Sequence, residues 1–400
     1  MGAPSRRTRL FALFVSTVLA LLVAEVALRI AGMSYPNFYG PDPDRGWALR
    51  PGGHGRWRKE GDADVRFNRD GMRDEEHPVA KPPGELRIAV LGDSCVESLQ
   101  VPVEKTFWSL LEKELARCPA VAGQQVEALD FGVSGYGTAQ ELITLRRRVW
   151  RYDPDLVLLA FYSGNDVRNN WRPLELDPAR PYLIPRPDGS LALDDSFRET
   201  GGYRLRRTWA ANLVYWAFDH SRLMQLGKQA KSASDGWIGS WKASKVKERP
   251  AGTELGLDDA VYLPPKDPEW TGAWRATEAI LAAARDEAAA HRTPFGMVSL
   301  TTPMQVNPDP AVRQAFMKQL GIDTLFYPDE RLAAFGRRER IPVLTLAPAL
   351  QRLAEREKVF LHGFPNTAPG EGHWNERGHA AAAAEMAAWV CRLLSERTAP

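Results

Sequence analysis

Only three cysteines occur in 400 residues, and none are spaced as a CxxC pair, which excludes a zinc knuckle and a thioredoxin-like redox motif. Cys95, Cys118 and Cys391 permit at most one disulfide, and the sequence alone leaves its formation open. An excess of either charge is also missing. The 52 Lys and Arg against 50 Asp and Glu leave a formal charge of +2, so no basic field draws in a nucleic-acid backbone and no nucleic-acid partner is expected. The chain has no GxSxG nucleophile elbow, which argues against the α/β-hydrolase fold. It has neither a GxxxxGK[ST] phosphate loop nor an HExxH zinc motif. His373 and His379 stand six apart, which does not put them on one helix face as metal ligands. No metal and no cofactor is expected.

One long apolar run is present, at the N-terminus. Arg6, Arg7 and Arg9 precede a mostly apolar stretch from Leu10 to about Leu28, roughly the twenty residues that a bilayer-spanning helix needs. The arginines favour a cytoplasmic N-terminus, with everything after about Gly32 on the far side of the membrane. The reading is a single-pass anchor over residues 1–33 and an extracytoplasmic, periplasmic-side body. A cleaved signal peptide and a buried core helix are the alternatives, and no clean small-x-small cleavage site follows the run. Glu25 and Arg29, four apart near its outer end, are spaced to pair on one helix face.

Residues 34–84 are rich in Pro, Gly and charge, and read as a lead-in with short edge strands. From residue 85 the texture changes to apolar runs alternating with helical segments, the pattern of a parallel sheet with helices on both faces. The expected strands are 86–92, 126–132, 156–162, 294–300 and 341–346; their unbroken apolar character suits burial on both faces. Helices are expected around 106–116, 139–150 and 276–291, and over the alanine-rich run 380–396. An insertion at about 170–270 interrupts this rhythm and carries Trp171, Trp209, Trp216, Trp237, Trp241 and Trp270. Those rings either form a small core of the insertion's own, the favoured reading, or offer a stacking surface for sugars.

In a doubly wound sheet the ligand sits outside the carboxyl ends of the strands. Four places follow from that rule. Gly92-Asp93-Ser94 follows the first strand, GVSGYGT with Gly135 the second, and YSGND with Asn165 the third; GEGHWNERGH with His373 lies in the loop before the last helix. Each alone reads as an ordinary turn or helix cap. Together they supply what acyl transfer requires: a hydroxyl to attack, an imidazole to take its proton, and donors for an oxyanion.

The order GDS, GVSGYGTAQ, YSGND and GHWNERGH resembles the SGNH/GDSL hydrolase family, over about Leu86 to Glu396. The resemblance implies a three-layer α/β/α sandwich of flavodoxin-like kind in 85–400. It also implies Ser94 as nucleophile, His373 as base, and an oxyanion hole made by Ser94, Gly135 and Asn165. Many relatives carry an Asp three residues before the histidine. Here that position is Gly370, so Glu371 is the candidate acid, with a backbone carbonyl as the alternative orienter. His379 is expected to pack or cap at the start of the last helix. The function expected is a membrane-anchored serine esterase that removes acyl groups, acetyl foremost, from an extracytoplasmic carbohydrate or lipid ester. An O-acetyltransferase of an exported or envelope polysaccharide and a non-catalytic carbohydrate-binding protein are the other readings.

Overall fold

The computed structural model describes residues 5–175, 177–231 and 259–398. They fall into two compact units, one within Met1–Phe38 and Leu205–Arg249, the other within Tyr39–Arg204 and Pro250–Pro400.

The larger unit is built on five parallel strands: β5 (Glu85–Gly92), β6 (Gln125–Gly132), β7 (Leu156–Phe161), β10 (Phe295–Ser299) and β11 (Val343–Thr345). Their order across the sheet is β11-β10-β7-β5-β6. All six residues of β7 and all five of β10 are buried, which is why these strands read as unbroken apolar runs. Alternate residues serve two separate cores. Ala89, Leu91, Val157 and Leu159 face one helical layer, formed by α4 (Thr138–Arg147), α9 (Pro268–Ala290), α10 (Pro310–Leu320) and α11 (Tyr327–Glu339). Ile88, Val90, Leu158 and Ala160 face the other, formed by α2 (Ser94–Glu97), α3 (Phe107–Leu115), α12 (Ala347–Glu357) and α13 (Glu376–Thr398). The result is a three-layer α/β/α sandwich. Each fully buried Leu, Val or Phe in these layers stabilises it by about 1.5–3 kcal/mol, so the two packed faces hold the scaffold rigid beneath the loops. A disulfide between Cys118 and Cys391 ties the segment after α3 to α13, while Cys95 stays a free, buried thiol.

The chain runs from β5 outward to β6, then returns to place β7 on the opposite side of β5. This reversal makes the carboxyl ends of β5 and β7 the topological switch point of the sheet, the place where such sheets bind ligands. The lead-in does not extend the main sheet as edge strands. It folds as two antiparallel hairpins, β1 (Tyr39–Asp42) with β2 (Gly46–Leu49) and β3 (His54–Trp57) with β4 (Ala63–Arg66).

The insertion's tryptophans do not gather into a core of their own among the described residues. Trp171 and Trp270 pack into the sheet's core, with a short hairpin, β8 (Tyr182–Pro185) and β9 (Leu191–Asp194), between them in sequence. Trp209 and Trp216 belong to the smaller unit and are 79% and 57% exposed. Trp237 and Trp241 lie outside the described residues.

The smaller unit contains α1 (Arg6–Ile30), α7 (Trp209–His220) and a helix over residues 222–231, here α8. Helices α5 (Asp166–Asn169) and α6 (Gly201–Arg206) complete the chain order. Helix α1 has 25 residues, none buried, and a mean hydropathy of 2.4 over its most apolar stretch. It is long and apolar enough to cross a membrane.

Candidate active site

Ser94 is the first residue of α2, directly beyond β5, and Asp93 caps that helix by accepting from the backbone N–H of Cys95 at 2.9 Å. The turn therefore presents the Ser94 hydroxyl at the switch point of the sheet. It donates to His373 Nε2 at 2.8 Å. His373 Nδ1–H in turn donates to a carboxylate oxygen at 2.6 Å, and that carboxylate belongs to Glu60.

Glu371 was the acid expected here, and the structure places it elsewhere. Gly370 and Gly372 on either side both have positive φ, 78° and 71°, and the loop turns the intervening side chain to solvent. Glu60 arrives from the turn between β3 and β4. Its second oxygen accepts the backbone N–H of His373 at 2.6 Å, so one carboxylate holds both the ring and the main chain of the histidine. A Cβ on Gly372 would lie 2.1 Å from Glu60 Oε1, so the absent side chain at 372 is what admits the carboxylate. Two ties fix the turn. Gly61 N–H donates to Asn366 Oδ1 at 2.9 Å, and Asn366 Nδ2 donates back to the Gly61 carbonyl at 2.9 Å.

The His373 loop is braced from below. His362 Nδ1–H donates to the Gly372 carbonyl at 2.7 Å, and Trp374 Nε1–H donates to Thr301 Oγ1 at 2.7 Å. Burial drives His362 down to about 4, which keeps it neutral, and its Nε2 lies 3.0 Å from Thr301 Oγ1. His379 takes no part in the site. It is buried, accepts from the N–H of Phe107 at the start of α3, and stacks on the Phe107 ring.

Burial works to lower the pKa of His373, but the hydrogen bond and charge of Glu60 outweigh it and the net shift is upward. Burial likewise works to raise Glu60, and the contacts with His373 outweigh it and bring it down. The two shifts agree: each partner stabilises the charged form of the other.

Asn165, just beyond β7, donates from Nδ2 to Asp93 Oδ2 at 2.8 Å. An amide nitrogen carries two hydrogens, and this bond uses one. Burial pushes Asp93 above the usual carboxylate range, although the Cys95 N–H and the Asn165 amide pull the other way. The loop after β6 is drawn to the same turn. Val133 N–H donates to the Gly92 carbonyl at 3.2 Å, and Ser134 N–H donates to Glu97 Oε2 at 2.6 Å. Gly135, next in line, has φ of 78°, and its carbonyl is turned to Arg180 Nη2 at 2.9 Å. The first hairpin closes over this loop, with Trp47 Nε1–H donating to the Ser134 carbonyl at 3.0 Å and Tyr39 O–H to Glu97 Oε1 at 2.7 Å. The structure thus brings Ser94 and His373 into contact, links Asn165 to the Ser94 turn through Asp93, and sets the Gly135 loop against α2. It leaves Glu371 outside. Among the described residues, no group of His, Cys, Asp and Glu side chains is arranged to hold a metal ion.

No family model matches the chain. An arylesterase from Vibrio mimicus is 33% identical over 82 residues, a match covering 20% of this chain and 39% of that protein, so the chain spans less than half of this relative's length. Among solved structures, an acetyl xylan esterase named AlAXEase is 11% identical with a TM-score of 0.38, covering 76% of this chain and all of that one. A Desulfitobacterium hafniense protein described as lipolytic and of the G-D-S-L family is 11% identical with a TM-score of 0.36, covering 76% of this chain and 99% of that one. A catalytic mutant of an acetylxylan esterase from Geobacillus stearothermophilus is 10% identical with a TM-score of 0.35, covering 79% and 96%.

Proposed function

We propose that this chain is a serine esterase of the SGNH/GDSL hydrolase type, anchored by α1, which cleaves acyl esters, acetyl foremost, from a carbohydrate or lipid outside the cytoplasm. The observation that carries this reading is the relay Ser94 Oγ to His373 Nε2 at 2.8 Å and His373 Nδ1 to Glu60 at 2.6 Å.

In this reading His373 takes the Ser94 proton as the hydroxyl oxygen bonds to the ester carbonyl carbon. The Glu60 carboxylate fixes the Nδ1–H tautomer and stabilises the imidazolium that forms. Negative charge gathers on the former carbonyl oxygen. The backbone N–H groups of Ser94 and Gly135 and the second amide hydrogen of Asn165 are assigned to receive it. Collapse of this intermediate expels the alcohol, which takes the proton back from His373 and leaves an acyl group on Ser94. Water, activated by the same imidazole, adds to the acyl carbon and releases the acid.

Two observations support the extracytoplasmic assignment. Three arginines precede the apolar helix, and the Cys118–Cys391 disulfide suits an oxidising compartment.

The test is p-nitrophenyl acetate hydrolysis by the detergent-solubilised full chain, with intact-mass detection of an acylated or fluorophosphonate-labelled Ser94. Loss of both turnover and label in Ser94→Ala, with folding unchanged, is the expected result. Undiminished turnover in that variant overturns the assignment. Release of product only when a sugar acceptor is added identifies the acyltransferase reading instead.

A further inference from the structure

Helix α7 turns a large apolar face outward. Trp209, Leu213, Trp216 and His220 recur at helical spacing on one face, and the first three are 79%, 57% and 57% exposed; Val214 beside them is 48% exposed. No residue of α7 is fully buried, and its other side, Ala211, Tyr215, Ala217, Phe218 and Asp219, is only partly covered. An apolar helix face of this size directed outward marks an interaction site.

The smaller unit holds this helix at a defined level of α1. Glu25 and Arg29, in the last turns of α1, pair with each other at 2.8 Å and also grip the corner where α7 ends and α8 begins. Arg29 Nη2 donates to the carbonyl of His220, the last residue of α7, at 2.6 Å. The backbone N–H groups of Arg222 and Leu223, at the start of α8, donate to the Glu25 carboxylate at 2.8 and 3.0 Å. A cation thus sits at a helix C-terminus and an anion at a helix N-terminus, the signs that the two helix dipoles favour. Gln225, almost fully buried, completes the knot by accepting from Tyr35 N–H at 2.8 Å and donating to the Phe218 carbonyl at 2.7 Å.

We propose that α7 lies in the plane of the bilayer that α1 crosses, with Trp209, Leu213, Val214 and Trp216 sunk among the headgroup-proximal acyl chains of the leaflet at the outer end of α1. This rests on the reading of α1 as a membrane span. Twelve residues make a helix of about 18 Å, too short to cross the apolar layer but suited to lying along its boundary. The residue types fit that depth. Tryptophan rings settle at the headgroup level, and the exposed Arg206 and Arg207 just before α7 suit lipid phosphates. The tie to Glu25 and Arg29, in the last six residues of α1, sets the corner where that helix leaves the hydrocarbon.

The experiment uses the full chain in mixed phosphatidylcholine–phosphatidylglycerol vesicles, with nitroxide labels on Leu213→Cys, Leu19→Cys in the middle of α1, and Ser190→Cys in the exposed β8–β9 turn. The expected result is that collisions with a water-soluble nickel chelate fall roughly tenfold at position 213 relative to position 190, while collisions with oxygen rise, as at position 19. Position 213 in water with position 19 in lipid overturns the proposal and leaves the anchor standing. Position 19 in water overturns the membrane reading, and the proposal with it. Position 213 shielded from both reagents, with spin–spin broadening that disappears on dilution with unlabelled chain, shows the face covered by a second copy and also overturns the proposal.

Discussion

The carboxylate of Glu60 meets His373 across 313 residues of sequence, taking its ring Nδ1–H and its backbone N–H at 2.6 Å each. A hairpin turn of the lead-in therefore supplies the group that faces the imidazole on the side away from Ser94. Without it the ring would be free to rotate and both tautomers would be populated, so the Nε2 lone pair would not point steadily at the hydroxyl.

Glu60→Gln is expected to lower kcat by roughly a hundredfold to ten-thousandfold with little change in KM, by analogy with loss of the acid from a serine triad. It also carries a pH signature. The base must be neutral, and Glu60 holds the His373 pKa above its ordinary 6.5, so activity in the native enzyme falls as pH drops through a midpoint above that value. Removing the negative charge shifts the acid limb of the kcat/KM profile to lower pH. A profile that stays in place assigns Glu60 no influence on the base.

Glu371→Gln is expected to leave turnover and the acid limb unchanged, because that side chain is exposed and the histidine is already held from the other side. A loss of tenfold or more would mean that Glu371 replaces Glu60 during turnover. Single-turnover acylation of Ser94 in each variant separates the two.

Asn165→Ala is expected to lower turnover by roughly a hundredfold through loss of an oxyanion donor. It also removes one of the donors to buried Asp93, so thermal unfolding is measured alongside. A fall in stability with normal kcat would confine Asn165 to holding Asp93.

The three inner strands, β5, β7 and β10, were legible because both faces of the sheet are buried there, so they wrote themselves as largely apolar runs, and the edge strands β6 and β11 followed from their shorter apolar stretches. The observed bounds differ from the expected ones by two residues at most. The places of Ser94, Gly135, Asn165 and His373 were legible for a related reason: the turns just after strands and just before a helix are marked by punctuation in the sequence, and these turns are where a doubly wound sheet carries its ligand. Glu60 carried no such mark. It lies in a charged hairpin turn, and only a tertiary contact gives it a role. The one available signal was negative, namely glycine three residues before His373 where an aspartate was expected. Likewise the pairing of Glu25 with Arg29 followed from i,i+4 spacing, but their grip on the α7–α8 corner depends on a segment nearly two hundred residues away.

Reduction of the Cys118–Cys391 disulfide, or its replacement by serines, is expected to lower unfolding stability by roughly 2–4 kcal/mol in denaturant titrations, since it closes a loop of 273 residues in the unfolded chain. The bond joins the segment after α3 to α13 in the same helical layer as α2, but neither cysteine takes part in the hydrogen bonds that link Ser94, His373 and Glu60, so kcat at a temperature where the protein stays folded should be unchanged. Equal stability with and without reductant would remove the disulfide from the list of constraints. It would also weaken the case for an oxidising compartment.

Gly372→Ala separates the role of Glu60 from the stability of the fold. The new methyl group would fall 2.1 Å from Glu60 Oε1, which is the free end of a side chain and can swing aside without moving the sheet. The positive φ adds a backbone cost of about 1 kcal/mol for a residue with a Cβ. The variant should therefore unfold only slightly earlier than the native protein, yet show the low kcat and lowered acid limb of Glu60→Gln. Adding Glu60→Gln to it should cost little more, because both changes remove the same contact and effects at one contact do not add. Fully additive losses would mean that the loop at 372 and the carboxylate at 60 act on the histidine independently, and the single grip inferred from the two 2.6 Å bonds would not hold.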